Sequence, residues 1–273
     1  MRTFNEYIEN KKPTILLENQ LLDKIIFELG KPNLDPSTIK SLTYDYITKN
    51  SEADTAVKNM MTSDPKKYTE YNTKYKQLLD MVANKLKNSG YTFVNNGAWA
   101  QYNRGDVNPN AKKDDNMTTK RYVTLAMNDI WKAFQALPTL GEALNNVKLR
   151  PEANQLSFKV GGNYGTVMHH KDTIVIHFYD KNAGQQIDQA VNTFLNAAGV
   201  KESNREQIGR VNFGKDAGGT SDSDIVADGI SKYFVIHKNE IPNMLKMPNI
   251  KDELKKLIDN LSMKSSHRAG VVV

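Results

Sequence analysis

No cysteine occurs in the 273 residues. That absence excludes disulfides, thiol nucleophiles and thiolate-bound zinc or iron–sulfur centres. There is also no apolar run near the ~18 residues that a membrane-spanning helix needs. The longest candidates, such as Thr173-Ile174-Val175-Ile176, have the length of strands. The first residues lack the apolar core of a secretory signal, because Glu6, Glu9 and Asn10 interrupt them. Histidine is scarce, at five residues, and none is spaced as in a metal-binding motif. His169 and His170, read as neighbours on an extended strand, would point to opposite faces and could not share an ion. No metal, cofactor or membrane partner is expected. Basic residues outnumber acidic ones by 37 to 31, giving a net charge of +6. The basic pairs Lys66-Lys67, Lys112-Lys113, Lys120-Arg121 and Lys255-Lys256 are nevertheless separated by acidic residues. No basic stripe is interleaved with aromatics, which argues against sequence-specific reading of nucleic acid. The surplus charge then serves solubility, or non-specific proximity to a polyanion.

Hydrophobic spacing divides the chain. Leu21, Leu22, Ile25, Ile26 and Leu29 lie on one helical face, and Gly30 with Pro32 ends that segment. Asp35-Pro36 and Ser63-Asp64-Pro65 carry the cap-then-proline signature of helix starts, and another helix is expected from about Glu52. Tyr68, Tyr71, Tyr75, Leu78, Leu79, Val82 and Leu86 repeat at the helical period and read as core. After Gly90 the period changes. Tyr91–Val94 and Ala98–Tyr102 flank Asn95-Asn96-Gly97, a strong hairpin signal. Further strands are expected at Arg121–Leu125, Leu156–Val160 and Thr173–Tyr179, and helices at 129–144, 184–198, 225–240 and 250–263. Residues 205–224 read as a loop. The fold class is α+β: a helical N-terminal third, then a mixed or antiparallel sheet with packed helices. The expected units are 1–18, 19–89, 90–263 and a loose tail at 264–273.

Three groups of residues carry candidate chemistry. Lys159, in "SFKVGG", should share a strand face with Ser157, opposite Phe158 and Val160. There it would be either a desolvated base or a lysine reaching out to solvent. His177, in "VIHFY", either faces a cleft or occupies the wetter face of the sheet. "GRVNFGKDAGGTSDSDIVADG" combines Arg210 and Lys215 with three glycines ahead of a helix, where Ser223 or Asp224 would serve as cap. Backbone N–H groups and cations there would suit an anion, although the pattern is neither a P-loop nor a dinucleotide fingerprint.

Two resemblances rest on these segments. The succession "GYTFVNNGAWAQY", "KRYVTL", "LSFKV", "HHKDTIVIHFY", "NFGKD" and "IVADGI", over roughly residues 90–232, resembles HopA-type type III effectors and their phosphothreonine lyase-like relatives. The resemblance implies β-elimination of phosphate by a strand lysine, with a histidine as acid and arginines on the phosphate. Lys159 matches the base. Val123 stands where the acid histidine is expected and His170 where an arginine is expected. The other cations nearby are Lys120, Arg121, Arg210 and Lys215. On this reading Lys159, His170 and His177 are the catalytic candidates, and those four cations bind the anion. The N-terminal "MRTFNEYIEN" resembles the capsid-targeting peptides of internal head proteins of T-even-type phages, and Leu16-Leu17-Glu18 fits their processing site. It implies docking on capsid scaffold through residues 1–18, residence in the virion beside packaged DNA, and delivery to a host cytoplasm. There the protein would act on, or bind, a phosphorylated or acidic host component.

Overall fold

Local capping starts the helices of the N-terminal third. The computed structural model describes residues 15–49, 51–106, 108, 110–113, 117–203, 213–217 and 220–267. Helix α1 spans Ile15–Leu29, α2 Pro36–Thr48, α3 Ser51–Ser63 and α4 Pro65–Asn88. The Asp35 carboxylate accepts from Ser37 N at 3.0 Å, and the Asp64 carboxylate from Lys67 N at 3.1 Å. Each satisfies a backbone donor that the first helical turn leaves unpaired, and proline at the first position has no N–H to satisfy. Residues 1–14, with most of the expected targeting peptide, lie outside the described residues. The backbone of α1 runs through the Glu18–Asn19 junction, and the side chains of Leu16, Leu17 and Glu18 lie outside the described set.

Six strands follow: β1 Tyr91–Asn95, β2 Trp99–Arg104, β3 Met117–Val123, β4 Leu156–Gly161, β5 Ile174–Phe178 and β6 Phe213–Ala217. They form one sheet in the order β1-β2-β4-β5-β3-β6, antiparallel throughout. The turn between β1 and β2 places Gly97 at φ 87°, a conformation that strains side chains with a Cβ. The Asn95 side chain accepts from Gly97 N at 2.8 Å and holds that turn. β6 is a correction: the Gly- and Asp-rich stretch expected to be a loop adds an edge strand, because β3 offers it a free ladder.

Between the strands lie α5 (Ile130–Gln135), α6 (Leu137–Asn145), α7 (Tyr164–His169) and α8 (Gly184–Ala198). The single helix expected over 129–144 is two, joined at Ala136 just before Pro138. Helices α9 (Asp222–Ile236), α10 (Ile241–Met244) and α11 (Ile250–His267) complete the chain. The cap of α9 is Ser221, whose hydroxyl accepts from Asp224 N, rather than Ser223 or Asp224. α11 continues to His267, past the expected start of a loose tail at 264.

Two hydrophobic clusters result, and neither follows chain order. Ala100, Tyr102, Phe158, Val160, Ile174 and Ile176 bury one face of the sheet against α4, α5, α6 and α8. Leu22, Ile25, Ile39, Tyr46, Val226, Phe234 and Leu254 join α1 and α2 to α9 and α11. So α4, from the helical third, belongs to the sheet cluster, while the last helices pack on the first two. The second cluster meets the sheet at β6, which α9 and α11 contact. A further tie runs from α2, where Lys171 Nζ donates to Tyr46 O at 3.0 Å.

Tyrosine 75 links α4 to the end of β4. Its ring is buried, and its hydroxyl donates to Gly161 O at 2.6 Å. Gly161 tolerates no larger residue, since a Cβ there would lie 2.4 Å from Val167 N. Tyr75→Phe is expected to cost about 1–3 kcal/mol, because it leaves a buried carbonyl without this donor. Chemical denaturation should show a lower midpoint with an unchanged slope.

Candidate active site

Burying one face of an antiparallel sheet sends every second residue to the other face. On that other face, Asn103, Ser157, His177 and Lys120 stand side by side across β2, β4, β5 and β3. The next row is Gln101, Lys159, Val175 and Tyr122, with Trp99 two residues further along β2. Polar side chains interrupt these rows where the opposite face is uniformly apolar at its centre. Gln101 Nε2 donates to Asn103 Oδ1 at 2.7 Å and reaches Ser157 Oγ at 3.4 Å.

The two lysines of this face are held differently. Lys120 is buried, and its ammonium lies 2.5 Å from Asp216 Oδ2 on β6. Lys159 is half-buried, and no hydrogen bond or ion pair engages its amine among the described residues. Its partner is the Trp99 ring, 4.4 Å from Nζ to the centroid. Burial, and then the charge of Lys120, push the Lys159 amine down to about 8, against weaker attraction from Asp216 and Asp172. A buried cation without a carboxylate loses hydration and gains little in return, so its neutral form is favoured. Lys159 therefore gives up its proton at a lower pH than an ordinary lysine, with its lone pair free above about pH 8, beside a Lys120 side chain that Asp216 holds in place.

Both nearby histidines are held neutral. His177 pairs in register with Lys120 and Ser157. Burial, then the charges of Lys120 and Lys159, hold it well below the usual imidazole range. His170 is lowered to about 4, first by burial and then by His169. It does not lie on a strand as expected: α7 ends at His169, and His170 forms a single bridge with Lys49. Its ring packs at a tilt against Trp99, centroids 4.8 Å apart, which brings it to the Lys159 side of the sheet.

The other expected anion ligands are distributed differently. Arg121 projects to the helix-covered face and is 3% exposed. Its Nε donates to Asp188 at 2.6 Å, and its two terminal nitrogens donate to Glu202 at 2.8 Å each. With these two carboxylates it is a structural ion-pair centre and not a ligand for phosphate; the sequence conceals this because both partners are more than sixty residues away. Lys215 lies in β6, paired with Thr119, and its side chain is outside the described residues, as is all of Arg210. Val123 is fully buried in the core and offers nothing to this face. Trp99 and Asp216 were not among the sequence candidates. Strand alternation could have placed Trp99 with Gln101, but Asp216 needed the unforeseen β6. Among the described residues no group of three His, Asp or Glu is arranged to hold a metal ion, and no helix is long and apolar enough to cross a membrane.

The state of Lys159 has a measurable thermodynamic signature. Because its folded-state value lies below the ordinary 10.5, the native protein binds fewer protons there than the unfolded chain between pH 8 and 10.5. Stability from this group therefore rises with pH across that window. Lys159→Met should raise stability at pH 7 by up to about 3 kcal/mol and flatten that rise. Denaturant midpoints of both proteins between pH 7 and 10.5 provide the check. The chain matches no family model, no curated protein and no solved structure, so the chemistry of this sheet face stands on its own geometry.

Proposed function

We propose that this sheet face is the active site of a phosphate-handling enzyme of the phosphothreonine lyase type, with Lys159 as the base. The observation that carries the reading is the Lys159 amine, which meets only the Trp99 ring among the described residues, near a Lys120 side chain held by Asp216. Lys159 takes the proton from the carbon next to the carbonyl. The C–H electron pair becomes the new carbon–carbon double bond as the Cβ–O bond breaks, and phosphate leaves with the electrons of that bond. Lys120 meets the developing charge on the leaving oxygens, where a cation fixed in advance contributes most. His177 is neutral, so it donates an N–H hydrogen bond to the leaving group rather than a full proton. This division of labour needs no histidine at position 123.

The expected substrate is a phosphothreonine peptide. Phosphate release should rise about tenfold per pH unit and level off above the Lys159 value of about 8, since only the neutral amine accepts a proton. Lys159→Ala should lower the rate about 100- to 10,000-fold, the usual contribution of a general base. Binding without release in the intact protein would instead make this face a recognition module for phosphorylated or acidic partners.

A second reading concerns where the protein works, and it rests on the sequence of residues 1–18. Their likeness to capsid-targeting peptides supports packaging in a tailed-phage head through contacts with capsid or scaffold proteins, and later delivery to the host cytoplasm. The net charge of +6 suits residence beside packaged DNA. Mass spectrometry of purified virions is expected to find the chain with Asn19 as its new N-terminus. Virions lacking the protein would overturn this reading and leave the enzymatic one untouched.

A further inference from the structure

We propose that Lys159 is also a nucleophile, and that this sheet face takes small phosphorylated aldehydes or ketones as imines. The proposal rests on the reading above in one respect, that Lys120 receives a phosphate. It otherwise concerns a different bond and a different class of compound.

The geometry separates two lysines that sequence alone treats as equivalent. Lys120 Nζ is tied to Asp216 at 2.5 Å, and a lysine amine engaged by one carboxylate has further N–H donors for a second partner. Lys159 Nζ touches an aromatic ring, and no carboxylate bonds to it among the described residues. A desolvated lysine near a second cation is the arrangement that activates an amine towards carbonyl carbon. The two stand on strands separated by β5 and are offset by two residues along it, so their backbones are about 12 Å apart. Their long side chains can therefore meet the two ends of one small molecule, the carbonyl at Lys159 and the phosphate at Lys120.

The step balances without a co-reactant. The neutral Lys159 amine attacks the carbonyl carbon, a C–N bond forms, and the C=O π pair moves to oxygen. One amine proton passes to that oxygen and gives a carbinolamine. Loss of water, with the nitrogen lone pair forming C=N and a second proton leaving nitrogen, gives the imine. His177 borders Ser157 on the same face, and its neutral imidazole can carry a proton between nitrogen and oxygen.

The test uses the full chain, glyceraldehyde 3-phosphate and sodium cyanoborohydride, with adducts located by peptide mass spectrometry. Lys159 should be modified at least about tenfold faster than any other lysine, to one adduct per chain. Glyceraldehyde without phosphate should react about tenfold more slowly there, and inorganic phosphate should protect Lys159. Lys120→Met should reduce the phosphorylated aldehyde to the rate of the plain one; the protection assay on the unmodified chain covers the case in which that variant does not fold. Adducts spread over surface lysines would overturn the proposal. Equal rates for both aldehydes would also overturn it, by making Lys159 a reactive amine without a phosphate site. Release of phosphate from peptides without imine trapping would sink this proposal and leave the elimination reading. Trapping without such release would do the reverse.

Discussion

Alternation along the central strands is the constraint on which the other features depend. Tyr102, Phe158 and Ile176 are register partners across β2, β4 and β5, and all three are buried. Together with their neighbours Ala100, Val160 and Ile174 they form the surface on which α4 to α6 and α8 rest. A slip of one residue in β4 would exchange Phe158 for Lys159 in that core. Burying an unpaired ammonium there, while exposing an aromatic ring, is costly on both counts. The same forces that bury the apolar face therefore deliver Lys159, His177 and Lys120 to the opposite one. The candidate site is the other side of the hydrophobic core.

That origin accounts for its unusual electrostatics. Three nitrogen bases gather on one sheet face, and among the described residues only Lys120 has a carboxylate at bonding distance. Asp216 pairs with Lys120, while burial first, and the Lys120 charge second, disfavour protons on Lys159 and His177. The β3–β6 pairing is thus more than an added edge, since it brings the carboxylate that differentiates the two lysines. On the other face Arg121 shows the contrasting solution, a buried cation fully matched by Asp188 and Glu202. Burial with partners makes a structural cation, and burial without them makes a reactive amine.

The two clusters also explain why an early and a late part of the chain depend on each other. α1 and α2 bury their apolar stripes against α9 and α11, which follow β6. Support for β6, and through it for Asp216, therefore comes partly from helices at both ends of the chain. Trp99 has a similar bridging role near the other end of the polar face. It contacts Lys159 and His170, and His170 pairs with Lys49 just after α2. The site draws on five strands, β2 to β6, and on His170 and Lys49 outside them.

The sequence by itself determined what depends on neighbours a few residues apart. The Asp-Pro helix starts, the Asn-Asn-Gly hairpin, the helix ending at Ala198 and the shared face of Ser157 and Lys159 are all local, set by capping, by φ and by the two-residue period. Tertiary structure decided what depends on partners far along the chain. Phe213–Ala217 became a strand because β3 presented a free edge, against its own glycine and aspartate content. Arg121, one residue from Lys120 and equivalent to it by composition, went to the core because Asp188 and Glu202 were there to receive it. Lys159 lost part of its hold on the proton because the fold buried it near Lys120, with the Trp99 ring, sixty residues earlier, as its contact among the described residues. Charge state is a property of surroundings, and only the fold assembles them.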